Sequence, residues 1–163
     1  MYKVSITRVP LSAVVPLRTS ELRPKRHPKD TITDGDLLSD SIHVAAVSQD
    51  QLLGVASAVR EPAPPPLGGA AAWRVRGVAV IGHFRGTGVG RQLVEAACNL
   101  IADRETSVWL YAQEHVSGFY NKLGFAPVAT SVPHHISGLV GLYELKLDHR
   151  GYATSQQHRN TRM

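Results

Sequence analysis

Apolar and polar positions along the chain alternate between two-residue and helical periods. Tyr2 to Val9 sets Tyr2, Val4 and Ile6 against Lys3, Ser5 and Thr7, as an opening strand does, and Pro10 ends it. Leu11 to Arg23 carries Leu11, Val14, Val15, Leu17 and Leu22 at helical spacing, and Pro16 predicts a kink or a split there. Ile42–Val47 and Gln51–Val59 are apolar runs separated by Ser48-Gln49-Asp50, the spacing of a hairpin. Glu61 to Gly69 holds four prolines and two glycines and predicts a surface excursion. Trp73 to Ile81 is a β-branched strand run, Arg91 to Ala102 a helix with Leu93, Ala97, Leu100 and Ile101 on one face, and Ser107 to Gln113 another strand. A short helix follows within Val116 to Phe125, then strands over Phe125–Val132 and Leu139–Leu147. Asp148 to Met163 has almost no apolar content and predicts a disordered tail, leaving residues 1–147 as one domain.

The organising stretch runs from Trp73 to Val94, a strand that flows through a glycine turn into a helix. Four glycines fall within Gly82 to Gly90, which lowers the cost of positive φ and leaves backbone open to a ligand. A strand, a glycine turn and a helix start make an anion site, because the first N–H groups of a helix lack internal partners and the macrodipole is positive there. A phosphate-bearing ligand is therefore expected. The Walker A loop fails, since Gly90 is followed by Arg91 and Gln92 rather than by Lys and Ser or Thr. The dinucleotide fingerprint is also poor, because the glycines read Gly86-x-Gly88-x-Gly90.

What remains, Arg85-x-x-Gly88-x-Gly90, resembles the pyrophosphate signature of the GNAT superfamily of N-acetyltransferases. Downstream, Phe119-Tyr120 followed by Leu123-Gly124-Phe125 is similar to that superfamily's second hallmark, in the same order. Leu17-Arg18 followed by Leu22-Arg23-Pro24 resembles a pattern of some bacterial acetyltransferases of the superfamily, and Asp34-Gly35-Asp36-Leu37 with His43, together with Ala112-Gln113-x-His115, resembles its ElaA-like branch. The resemblance covers roughly Ile42 to Leu147. It implies an α/β mixed sheet of six to seven strands with about four helices, the acyl-CoA N-acyltransferase fold, splayed in a V between the fourth and fifth strands.

The function so implied is acetyl transfer from acetyl-CoA to a primary amine of a small molecule or protein. The backbone of Val78, Ala79 and Val80 would pair with the pantetheine arm. The stretch Arg85, Gly86, Thr87, Gly88, Val89, Gly90 and Arg91 would hold the pyrophosphate. Tyr120 matches the tyrosine that protonates the departing thiolate; its alternative role is core packing. For the general base, Glu114 and His115 at the end of the fifth strand are favoured, with His43, His83 or a water relay as alternatives, and His134 and His135 are placed on a loop able to reach the acceptor. Arg23, Arg26, His27, Asp34 and Asp36 are candidates for acceptor contact or for a solvated loop. A non-catalytic acyl-CoA-binding module on the same fold is the other reading.

Composition trims these options. The net charge is +5 with a pI near 9.7, but no nucleic-acid-binding module accompanies it, and an anionic cofactor plus a basic tail account for it. The N-terminus lacks the pattern of a secretory signal and no apolar run reaches a membrane span, so a cytoplasmic location is expected. Cys98 excludes an internal disulfide and reads as a buried small hydrophobe. No metal is assigned, since His134-His135 are adjacent rather than one helical turn apart. Homodimers are common in the superfamily, and the chain itself carries no signal for or against one.

Overall fold

The computed structural model describes residues 3–69, 73–101, 106–135, 137–148 and Tyr152. Its strands form a seven-stranded mixed sheet in the order β1-β2-β3-β4-β5-β7-β6. Three α-helices occur among the described residues, in line with the six to seven strands and about four helices expected. The chain divides into two compact units, one of residues to Arg60 plus Val75–Ile101, the other of Glu61–Arg74 plus everything from Ala102 on.

In the first unit, β1 (Ser5–Arg8) pairs antiparallel with β2 (Ile42–Ser48), and β2 with β3 (Gln51–Arg60). Gln49 and Asp50 both take positive φ, 49° and 61°, which matches a two-residue turn to the twist of its strands. Strand β4 (Trp73–Val80) continues the sheet. Helix α1 (Leu11–Leu22) runs through Pro16 without a break, so of the expected kink or split the split is absent. The proline sits on the exposed face, so only one N–H bond is lost there, while Val14, Val15, Leu17, Arg18 and Thr19 around it are buried and hold the axis. Val14 and Leu17 pack with Ala45, Val55 and Ala79.

Helix α2 (Val89–Leu100) starts two residues earlier than its pattern suggested, capped by Gly88 at φ 91°. Its buried stripe is Val89, Leu93, Val94, Ala97 and Cys98. Leu100, expected on that face, is exposed, because the stripe drifts toward Val94 and Cys98; Ile101 is buried just past the helix end. Cys98 is fully buried, and burial followed by the nearby Glu95 charge pushes its thiol up to about 12.

In the second unit, β5 (Ser107–Ala112) pairs in parallel with the start of β4, Trp73 with Val108 and Arg74 with Trp109. β5 pairs antiparallel with β7 (Gly138–Lys146), and β7 with β6 (Ala126–His134). Pro127 and Pro133 lie in β6, the edge strand, where a missing N–H costs no ladder bond. The expected surface excursion is anchored: Ala63 packs with Trp109 and Leu142, and Trp109 Nε1 donates to the Glu61 carbonyl at 2.9 Å. Of the tail, Tyr152 is buried and its hydroxyl donates to the Leu123 carbonyl. Apart from Asp148 and Tyr152, the expected tail lies outside the described residues.

Candidate active site

The first unit carries the glycine loop. A 3-10 turn, Gly82–Phe84, leads to Arg85, and Gly86 (φ 76°) and Gly88 (φ 91°) swing the backbone into α2. Gly86, Thr87 and Gly88 are exposed, and a Cβ on Gly86 or Gly88 would meet nothing within 4 Å. Glycine is needed there for the backbone angle rather than for space. The loop leaves its N–H groups and the start of α2 facing open surface, the arrangement of an anion cradle. Arg85 is braced by its Nε on the Val80 carbonyl at 3.0 Å and by its Nη2 on Glu21 Oε2 at 2.6 Å. Arg91 Nε donates to Glu95 Oε1 at 2.8 Å, one helical turn on. Of the β4 residues, Ala79 has its side chain in the core, so it offers backbone only, while Val78 and Val80 are half-buried.

The same unit holds a buried polar network not foreseen from the sequence. Arg18 reaches Asp36 with both terminal nitrogens, at 3.0 and 3.2 Å, and Arg76 adds a third bond at 2.6 Å. Arg18 and Arg76 also each donate to the Thr31 carbonyl. Burial alone raises the Asp36 carboxyl, but Arg76, Arg18 and the hydrogen bonds outweigh it and hold the pKa below 3.8. Asp36 is therefore a structural anchor for the 31–37 segment, which corrects its candidacy for acceptor contact. Arg18 Nη2 also donates to Ser57 Oγ at 2.7 Å, so Ser57 turns its proton to His43 Nδ1, 2.7 Å away. The His43 proton then sits on Nε2, toward Ser41. His43 is buried, and burial pushes its pKa down against the opposing pull of Asp36; it is enclosed in this network, which corrects its candidacy as the base. The signal available in the sequence was Arg18 itself, a charge inside the apolar stripe of α1. His83 is exposed at the loop, as expected.

The second unit carries the proposed acid and bases. Gln113 opens a 3-10 turn, Glu114–Val116, which runs directly into α3 (Ser117–Lys122). Glu114 and His115 are exposed on that turn. Helix α3 ends in a Schellman pattern: Phe125 N–H donates to the Tyr120 carbonyl at 3.1 Å and Gly124 N–H to the Asn121 carbonyl at 3.0 Å, with Gly124 at φ 95°. Buried Leu123 and Phe125 flank the glycine, and the Phe125 ring meets the Tyr120 ring edge-on at 5.8 Å. The Leu-Gly-Phe string thus has a local purpose, which is to stop the helix and wedge Tyr120. The Tyr120 hydroxyl has no hydrogen-bond partner among the described residues, and burial pushes its phenol well above 10. A phenol is protonated at neutral pH in any case, and the rise holds that proton more tightly than on a free tyrosine.

The same unit holds a cavity of about 440 Å³ lined by Glu61, Arg74, Trp109, Tyr111, His134 and His135 together with three prolines. His134 is the last residue of β6, not a loop residue as expected, and it stacks edge-on to Tyr111 at 5.2 Å. Nothing in the residue pattern pairs Glu61 with Arg74, which lie on either side of the proline-rich excursion. Among the described residues no group of three His, Cys, Asp or Glu could hold a metal, and no helix is long and apolar enough to cross a membrane.

Residues 39–127 match the sequence model of the acetyltransferase (GNAT) domain. The chain is 29% identical over 124 residues to the uncharacterized N-acetyltransferase YitI of Bacillus subtilis (strain 168), covering 76% of this chain and 81% of that protein. The crystal structure of Escherichia coli ElaA superposes with a TM-score of 0.64 at 25% identity, over 88% of this chain and 99% of that one. Arabidopsis thaliana Naa50, solved with the bisubstrate analogue CoA-Ac-MVNAL, shares the fold at a TM-score of 0.66 and 20% identity, over 87% and 97% of the two chains.

Proposed function

The chain belongs to the GNAT acetyltransferase family, and from that premise we propose that it moves an acetyl group from acetyl-CoA to a primary amine of a small molecule or protein. Residues 1–147 act as a single acetyltransferase domain in this reading. The glycine loop from Arg85 to Arg91 takes the pyrophosphate on its N–H groups, with Arg85 adding charge-assisted bonds. The Val78–Val80 backbone pairs with the pantetheine arm as an added strand would, and an N–H near Val80 polarises the thioester carbonyl. The CoA analogue held by Naa50, a protein of the same fold, supports a CoA thioester in this role.

The neutral amine attacks the carbonyl carbon, the C–S bond breaks, and the thiolate takes the phenolic proton of Tyr120. The proton released by the amine goes to Glu114, to His115 or to water. The observation that carries this reading is Tyr120 itself: a hydroxyl without a hydrogen-bond partner among the described residues, on a helix whose end is built to hold it. A second reading, an acyl-CoA-binding module without turnover, is favoured by one feature, the absence among the described residues of any partner that would orient Glu114 or His115 as a base.

The test is CoA release from acetyl-CoA across a panel of amines, comparing wild type with Tyr120→Phe. Amine-dependent release that falls by about 100-fold or more in the variant, with acetyl-CoA binding retained, is the expected result. Tight acetyl-CoA binding with no release for any amine would leave the binding module instead.

A further inference from the structure

We propose that the cavity in the second unit binds a zwitterionic α-amino acid with an aromatic or large apolar side chain, its carboxylate on Arg74 and its ammonium on Glu61. The claim goes beyond the transfer reading and concerns binding alone.

Arg74 is held from two sides. Its guanidinium carbon lies 5.1 Å from the Trp109 ring centroid and 5.3 Å from that of Tyr111, and its Nη1 donates to both Glu61 oxygens at 3.0 and 3.4 Å. Glu61 is held in turn, because Trp109 Nε1 fixes its backbone carbonyl. The pair is thus fixed in place rather than a mobile surface contact, with side-chain exposures of 15% and 35%.

Each member keeps unused capacity. Nη2 of Arg74 has no hydrogen-bond partner among the described residues, which leaves two donors of the guanidinium fork. Glu61 accepts from Arg74 alone through its carboxylate, which has room for further donors. The sign of each charge then selects the ligand. A lone anion drawn to Arg74 meets the adjacent Glu61 carboxylate, and a lone cation drawn to Glu61 meets the guanidinium; a molecule carrying both signs answers both groups at once. The remaining wall is rings and prolines, which suits a flat or bulky apolar side chain. The cavity volume of about 440 Å³ lies in the range of small-molecule sites.

Calorimetric titration of the full chain with L-phenylalanine, phenethylamine and 3-phenylpropionate separates the possibilities, since the last two each lack one charge. L-Phenylalanine is expected to bind at least about 10-fold more tightly than either analogue. Glu61→Gln keeps the shape and removes the negative charge, so in that variant 3-phenylpropionate is expected to overtake L-phenylalanine, with circular dichroism checking that the fold is kept. Either analogue matching L-phenylalanine in the wild type would overturn the proposal. So would failure of L-phenylalanine to bind, or a ranking unmoved in a folded Glu61→Gln variant. None of these outcomes reads acetyl transfer, so the proposal can fail while the transfer reading stands, and the reverse.

Discussion

At Gly77 the backbone of β4 takes φ 63°, and a Cβ there would lie 2.6 Å from Nε of Arg18. Two constraints meet at one position, since any other residue would bear the left-handed penalty and also push the guanidinium away from Asp36 and Ser57. Gly77→Ala is expected to lower stability by about 2 kcal/mol or more, of which about 1–2 is the backbone cost, and urea unfolding of the two proteins would measure it. A smaller loss would mean that Arg18 can be displaced freely. Tyr120 shows the opposite economy: its hydroxyl is not committed to a protein acceptor among the described residues, and loss of hydration alone raises the phenol pKa.

Among the elements, α3 is the clearest case of sequence acting through termination. It is only six residues long and has no side-chain cap, so its C-terminal glycine and the Phe125–Tyr120 ring contact do most of the ordering. Gly124→Ala is expected to cost about 1 kcal/mol or more, the penalty of a side chain at positive φ, and to lower kcat more than it raises KM for acetyl-CoA, because it loosens the acid rather than the cofactor loop. Steady-state kinetics would check the split. The motif from Phe119 to Phe125 was legible because its function is local, written into consecutive residues. The strands of the sheet were legible for the same reason, through alternation and turn chemistry over short spans. Arg18 with Asp36 and Arg76, and Glu61 with Arg74, were not legible, because each joins positions far apart along the chain and nothing in a one-dimensional pattern pairs them. Pro16 did not split α1 for a related reason: its cost is local, while the burial that keeps the helix continuous comes from its surroundings.

For the molecule as a whole, the buried titratable groups set a window of stability. Asp36 has its folded pKa below 3.8, so its contribution is present above that value and is lost as pH falls through the folded one. His43 has its folded pKa below 6.5, so the unfolded chain binds a proton first and stability already declines as pH drops below about 6.5. On the alkaline side the Cys98 thiol, raised from 9.0 to about 12, and the Tyr120 phenol, raised above 10, both ionise first in the unfolded chain, so stability declines as pH rises past about 9 and further past about 10. Thermal melts across pH are therefore expected to show a plateau between roughly pH 7 and 9, with a two-stage fall on the acid side; His43→Gln would remove the upper stage. The +5 net charge suggests strong attraction for anions, yet at the glycine loop Arg85 already faces Glu21 and Arg91 already faces Glu95. In the proposed function, capture of a pyrophosphate there would exchange one negative partner for another. Added salt weakens both the pair that is given up and the pair that is formed, so the affinity of this loop for its ligand should depend on ionic strength far less steeply than the charge of the molecule implies.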